Sequence, residues 1–217
     1  MNRKITAIQV QKRNQQRVSV FLDGEFAFGL SRIVAAWLEI GQEITEEKIA
    51  RLQAEDEREV VYLKTLNFIQ YRPRSSQEIR RYLAKQYAPE ELVEPTLERL
   101  QRAGLVDDAR FAQIWVENRT DLRPRSRQAL AYELRQRGID QQTISEALED
   151  VDDEAQAIEA GRKQAHRYQD LDWQNFRQKM CAYLARRGFN YSVSVEVAQR
   201  VWSEIHAGPA LEDDNFE

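Results

Sequence analysis

Apolar and polar positions change rhythm once along this chain, near Thr45. Before it they alternate in steps of two: Ile5 and Ala7, then Ile8 and Val10 one step out of phase, then the runs RVSVFL and EFAFGLS on either side of Asp23-Gly24. Such alternation marks half-buried strands, and Asp-Gly between two of them is a strong hairpin signal. The pattern predicts strands near 4–11, 17–22 and 25–30, three in all, forming a small β module. A short apolar helix over 31–37 and an extended LEIGQEIT follow, ending at Thr45, whose hydroxyl and following acids suit a helix N-cap.

Beyond Thr45 the spacing becomes helical. Ile49 and Leu52, then Tyr62, Leu66 and Ile69, recur at intervals of three and four until Pro73 stops the pattern. Ser75 with Glu78 three residues later reads as a capping box, starting a helix that runs to about Tyr87 with Ile79 and Leu83 inside. Leu92, Leu97 and Leu100 give a third stripe, closed by Gly104 as a C-cap. One structural unit is thus three helices.

The same unit returns twice. RPRSSQEIRRYLAKQYA from Arg72 is matched by RPRSRQALAYELRQRGI from Arg123 and more weakly by WQNFRQKMCAYLARRGF from Trp173, with Ile79, Leu130 and Met180 in register, and Leu83, Leu134 and Leu184 likewise. In the second copy Asp107 or Asp108 caps a helix carrying Phe111, Ile114 and Trp115; the next begins after Pro124 and ends at Gly138; the last carries Ile144, Leu148 and Val151. In the third the inner stripe is Ala157, Ala160, Ala165, Met180, Leu184, Val193, Val197 and Val201. Trp115, Tyr132, Tyr191 and Trp202 are expected between helices. The fold class expected is mainly α: three tandem three-helix repeats in an elongated array behind an N-terminal β module. The expected divisions are 1–45 for the module, 46–106 for a linker helix with repeat one, 107–151 and 152–206 for repeats two and three, and 207–217 for a disordered acidic tail.

Composition adjusts this picture in two ways. Of 217 residues 42% are hydrophobic and 31% charged, which suits several modest cores better than one large one. The one cysteine, Cys181, excludes an internal disulfide and is expected as a small buried hydrophobe in a reducing, cytoplasmic setting. Neither a leader-like apolar stretch nor a membrane-length span is visible. Net charge is −4, yet the charge is segregated. Residues 64–85 hold Lys64, Arg72, Arg74, Arg80, Arg81 and Lys85 against Glu78, and 119–137 hold six arginines against Asp121 and Glu133. From Asp140 to Glu159 there are eight acids and no base. Blocks that alternate at the repeat period imply a basic edge and an acidic edge.

No catalytic constellation accompanies them. There is no glycine-rich phosphate loop and no zinc spacing, and the histidines His166 and His206 are far apart. Asp107-Asp108 and Asp150, Asp152 and Asp153 read as caps and connector rather than metal ligands. No enzyme activity, cofactor or metal is expected. The basic segments are more informative. Arg81, Lys85 and Arg186 fall opposite the apolar stripes and point outward, which a solvated helix face with pairs such as Glu78 to Arg81 would also explain. Arg72, Arg74, Arg123, Arg125 and Arg127 instead crowd helix N-termini, where the macrodipole disfavours a cation by about 0.3–1 kcal/mol. That placement favours a polyanion site at the amides beside Ser75 or Ser126. Arg80, Arg135 and Arg187 complete the candidate set.

Taken together, RPRSSQEIRRYL, RAGLVDDARFAQIWVENR, the second RPRS and LARRGFNY resemble the recurring segments of the RecX regulatory-protein family, bacterial modulators of the RecA recombinase; the match spans about Glu59 to Trp202. VFLDGEFAFGLS is similar to the β module of that family's longer members. The resemblance implies non-catalytic binding to the RecA filament on DNA, usually with inhibition of ATP hydrolysis and strand exchange; a monomer is expected, and the net charge of −4 argues for only weak affinity for single- or double-stranded DNA alone. The candidate cations would then face DNA or acidic recombinase surface. Nucleic-acid binding without recombinase, a protein scaffold and a metal-dependent nuclease are the other readings. Two departures from the family pattern stand out. Pro95 falls inside the third helix of repeat one, implying a kink or late start, and the third copy lacks the RPRS element.

Overall fold

The slip of phase between Ile5 and Ile8 is a β-bulge. In the computed structural model, which describes residues 2–206, β1 (Asn2–Gln11) pairs antiparallel with β2 (Asn14–Leu22), Ile5 facing Leu22 and Ala7 facing Phe21. Thr6 is therefore the extra residue, and its hydroxyl donates to Phe21 O at 3.2 Å and accepts from Gly24 N at 3.0 Å. β3 (Glu25–Ser31) returns through Asp23-Gly24, both at positive φ as a two-residue hairpin requires. Asp23 accepts from Arg3 Nε and Lys4 N, each at 3.0 Å.

The expectation of three strands is corrected to four. β4 (Glu43–Thr45), inside the extended LEIGQEIT, pairs antiparallel with β1 and gives the order β3-β2-β1-β4. Its Ile44 is buried, and the outer edge of β1 would otherwise leave its ladder open. The expected helix over 31–37 shrinks to a single 3-10 turn, Val34–Trp37, with Trp37 88% exposed.

The chain forms two units, Met1–Val106 and Asp107–Glu217. In the first, α1 (Glu46–Ile69) starts at the expected cap, Thr45 Oγ1 accepting from Lys48 N at 3.2 Å. Ile49 and Leu52 close the core of the sheet, together with Ile5, Val20, Leu22 and Leu30, whereas Val61 belongs to a second core with Ile79, Leu83, Leu97 and Leu100. Each aliphatic side chain so enclosed stabilises by about 1.5–3 kcal/mol. Asp56, in the middle of α1, ties helix to sheet: it accepts from Ser31 N at 2.5 Å and from Arg17 at 2.8 Å.

α2 (Ser76–Lys85) is capped by Ser75 Oγ, which accepts from Glu78 N at 3.2 Å. A 3-10 turn, Glu90–Leu92, precedes α3 (Val93–Arg102), so Pro95 lies in the first turn, where its missing N–H is not needed. The late start is what occurs. Tyr87, after α2, stands in the left-handed region at φ 54°, with Ala88 N bonded back to Leu83 O at 3.1 Å. The equivalent positions in the later repeats are Gly138 and Gly188, at φ 76° and 89°.

The second unit holds α4 (Asp108–Leu122), α5 (Arg127–Gln136), α6 (Gln141–Ala147), α7 (Asp153–Ala165), α8 (Trp173–Ala185) and α9 (Tyr191–His206). Asp107, Ser126, Asp140, Asp152 and Asp172 cap the first five of these through side-chain oxygens, and Asn190 Oδ1 accepts from Val193 N at the start of α9. One core gathers Phe111, Leu130, Leu134, Ile144 and Leu148; another gathers Ala157, Phe176, Met180, Leu184 and Val197. In register with Ser126 the third copy has Phe176, fully buried, so α8 begins a turn earlier than α5 and takes Asp172 as its cap. That explains the missing RPRS element. Tyr132 and Tyr191, expected between helices, are instead 60% and 72% exposed, whereas Trp115 and Trp202 do pack against the cores. Cys181 is half-buried against Ser194 O, and burial pushes its thiol up. The acidic segment 207–217 lies outside the described residues.

Candidate anion-binding surface

Each RPRS loop folds between the end of one helix and a serine-capped successor, and the structure sorts its arginines into distinct roles. Arg72 reaches forward to Glu78 with both terminal nitrogens at 3.0 Å. Arg80 makes a similar fork on Glu94, at 2.7 and 2.9 Å, which holds that carboxyl below the usual range. Arg125 pairs with Glu133 at 3.0 Å. Arg127 holds the connector before α7, donating to Glu149 O at 3.2 Å and Val151 O at 3.0 Å, while its own amide donates to Asp153 at 2.6 Å.

The expectation that these arginines sit uncompensated at helix starts is thereby corrected for Arg72, Arg125 and Arg127: acids or carbonyls of the same chain meet them. The amides beside Ser126 are not an open anion site either. Ser126 is fully buried, its N–H donates to Arg187 O at 3.1 Å, and Arg187 donates to Pro124 O at 3.1 Å. Ser75 is likewise fully buried. The macrodipole is met from inside the protein.

Other candidate cations are exposed. Lys85, Arg123 and Arg186 are exposed, and none has an ion-pair partner among the described residues. Arg81 is exposed on the outer face of α2, and Arg135 is exposed beside Gln141 at 3.3 Å. Arg187 is half-buried over the ring of Tyr183 at 4.5 Å.

Arg74 is the unusual member. The Phe68 ring at the end of α1 stacks on Tyr82 of α2 with centroids 4.0 Å apart and planes 2° apart, and the Arg74 guanidinium carbon lies 4.0 Å from the Phe68 centroid. Tyr82 fills one face of Phe68, so Arg74 takes the other. No carboxylate of the described residues comes within ion-pair distance; its Nε, like that of Arg125, is buried without a hydrogen-bond partner. Burial, with Arg72 nearby, holds Arg74 below the usual arginine value, against a smaller opposing pull from Glu78. A cleft of about 310 Å³ opens beside it, lined by Phe68, Arg74, Glu78, Arg81, Tyr82 and Lys85.

The second repeat builds the same place from charge. Arg119, Arg125 and Glu133 stand in register with Phe68, Arg74 and Tyr82, and Glu133 accepts from Arg119 Nε at 2.9 Å as well as pairing with Arg125. Trp115 donates to the same carboxylate at 2.9 Å, and its indole lies beneath both Arg119, at 4.4 Å, and Arg137, at 3.6 Å. An ion pair thus replaces a stacked aromatic pair. Phe68, Tyr82, Trp115, Arg119 and Arg137 were not among the candidates read from charge alone; the signal was the repeat offset, which pairs Phe68 with Arg119 and Tyr82 with Glu133.

No group of three or more metal-ligating side chains occurs among the described residues, and no described helix is long and apolar enough to cross a membrane.

Models of one protein family match the chain in four segments. The family model described as "Regulatory protein RecX N-terminal domain" matches residues 3–45, and those for the first, second and third three-helix domains of RecX match 62–100, 107–148 and 152–204. Regulatory protein RecX of Bacillus subtilis is 30% identical over 194 residues, 87% of this chain and 74% of that protein. Its counterpart in Limosilactobacillus reuteri is 30% identical over 218 residues, 98% and 80% of the two chains. A crystal structure of regulatory protein RecX superposes with TM-score 0.71 at 28% identity, covering 91% of this chain and 99% of that one. The RecX structure from Lactobacillus salivarius, at TM-score 0.58 and 21% identity, shares the fold. With a four-stranded module, three three-helix domains in that order and relatives of this similarity over about three quarters or more of their length, the chain belongs to the RecX family of regulatory proteins.

Proposed function

We propose that this chain is a non-catalytic regulator of recombination and DNA repair that binds the RecA filament on DNA and inhibits its ATP hydrolysis and strand exchange. Membership of the RecX family carries the reading. The surface supports it: cations remain outward on α2, before α5 and after α8, at Lys85, Arg123 and Arg186, on a chain whose net charge is −4. Such a protein has little general attraction for nucleic acid and depends on locally placed cations.

In this reading Arg74, Arg81, Lys85, Arg123 and Arg186 contact the filament, whereas Arg72, Arg80, Arg125 and Arg127 maintain the repeats. The test is the ATPase rate of the recombinase on single-stranded DNA with increasing amounts of this protein. Concentration-dependent loss of the rate is expected; an unchanged rate at saturating protein overturns the reading.

A further inference from the structure

We propose that the cleft between α1 and α2, lined by Phe68, Arg74, Tyr82 and Lys85, seats a phosphate of a single nucleic-acid strand, and that the corresponding place in the second repeat is silenced by Glu133. The inference deepens the reading above and rests on it for its biological setting, but not for its chemistry.

Three observations carry it. Arg74 is a half-buried cation held on an aromatic face, with no carboxylate of the described residues within ion-pair distance. Its approach is flanked by Arg81 and Lys85 on the next turns of α2, while the one carboxylate in the cleft, Glu78, is taken by the fork of Arg72. Where the second repeat repeats this loop, the cation is neutralised internally: Tyr82 is replaced by Glu133, which meets Arg125 at 3.0 Å. The two loops share a backbone plan and differ in whether the charge has a partner. An unpaired, partly desolvated guanidinium binds a phosphate oxygen more strongly than a solvated one does. The depression of its proton affinity by burial agrees with a charge awaiting its counterion.

The aromatic wall selects the ligand. A single strand alternates phosphates with apolar rings, which can pack along the aromatic lining of the cleft while a phosphate meets Arg74 and Lys85. An acidic peptide supplies carboxylates without the rings.

The experiment is titration of the full chain with a short oligothymidylate. It is followed by the arginine side-chain resonances in 1H–15N spectra and by fluorescence anisotropy across a range of salt. The Arg74 resonance is expected to move to saturation while that of Arg125 stays in place. Arg74→Gln is expected to weaken binding on the order of fivefold and to reduce the slope of log K against log salt by about 0.7, the increment for one contact on a single strand. Tyr82→Glu, which copies the second repeat, is expected to do the same with helicity retained by circular dichroism. Unchanged affinity and slope in Arg74→Gln overturn the proposal, as does equal movement of Arg74 by polyglutamate. Recombinase ATPase, read on the same proteins, separates the two readings: no inhibition by the unmodified chain sinks the regulatory role alone, whereas inhibition with an unresponsive Arg74 sinks the cleft alone.

Discussion

Glu133 joins Arg119 and Arg125 across the gap between two helices, at 2.9 and 3.0 Å, with only 14% of its side chain exposed. Removing its negative charge leaves the guanidinium groups of Arg119 and Arg125 without their shared counterion beside the Trp115 indole. Glu133→Gln should lower the stability of the second unit by about 1–3 kcal/mol, measured by chemical denaturation followed by circular dichroism. A change below a few tenths of a kcal/mol would show that the cluster is solvated.

Tyr87 adopts a left-handed backbone while 94% of its surface is exposed. A non-glycine residue there costs roughly 1–2 kcal/mol, partly offset by the greater unfolded entropy of glycine. Tyr87→Gly should therefore raise stability by about 0.5–1 kcal/mol, read as a higher melting temperature. If the variant instead melts lower, the exposed ring contributes packing that the geometry does not reveal.

Asp56 is a buried acid that joins helix to sheet in the first unit, through Ser31 N and Arg17. Asp56→Ala would strand a buried amide, and loss of about 2–3 kcal/mol is expected, discounted from a fully buried pair because Arg17 keeps 26% of its side chain exposed. Hydrogen exchange should quicken at Ser31 and along β3 first. Uniform exchange through the chain would contradict a local role.

Asp140 and Asp172 cap α6 and α8 as carboxylates, and hydrogen bonds from Thr143 and Asn175 hold their pKa values below the ordinary aspartate range. A depressed folded pKa contributes stability that is present above the unfolded value, about 3.9, and is lost as pH falls through the folded one. Unfolding should ease below about pH 4. Asp172→Asn keeps an acceptor at the cap without the titration, so its stability should fall less steeply over that window; parallel curves would assign the acid sensitivity elsewhere.

Most of the fold was legible because its signals are local. The hairpin at Asp23-Gly24, the caps at Thr45, Ser75 and Asp107, and the stripes through Leu83, Leu134 and Leu184 each depend on residues a few positions apart. β4 was missed because three residues pair with β1 across the module, a non-local bond without a period of its own. The site was legible in part. Repetition found the RPRS loops, but charge counting could not tell Arg74, which lacks an anion, from Arg125, which has one. That difference lies in Tyr82 and Glu133, eight residues further along a helix in each case.

The contact between Gly188 and Ser126 also sets a test. A β-carbon at Gly188 would come within 2.5 Å of Ser126 Oγ and 2.7 Å of the Ala129 β-carbon, on a backbone already at φ 89°. Gly188→Ala should cost roughly 1–3 kcal/mol and speed amide exchange at Ser126, whose N–H bonds to Arg187 O. Unaltered exchange there would mean the turn can yield.

That contact orders the birth of the protein as well as its resting form. Arg187 lies 63 residues downstream of the Pro124 carbonyl it holds, so a nascent chain leaving the ribosome cannot finish sealing the front of α5 until the end of α8 has been synthesised. Until then the middle of the molecule is an unfinished joint, and its final carpentry waits for the last repeat.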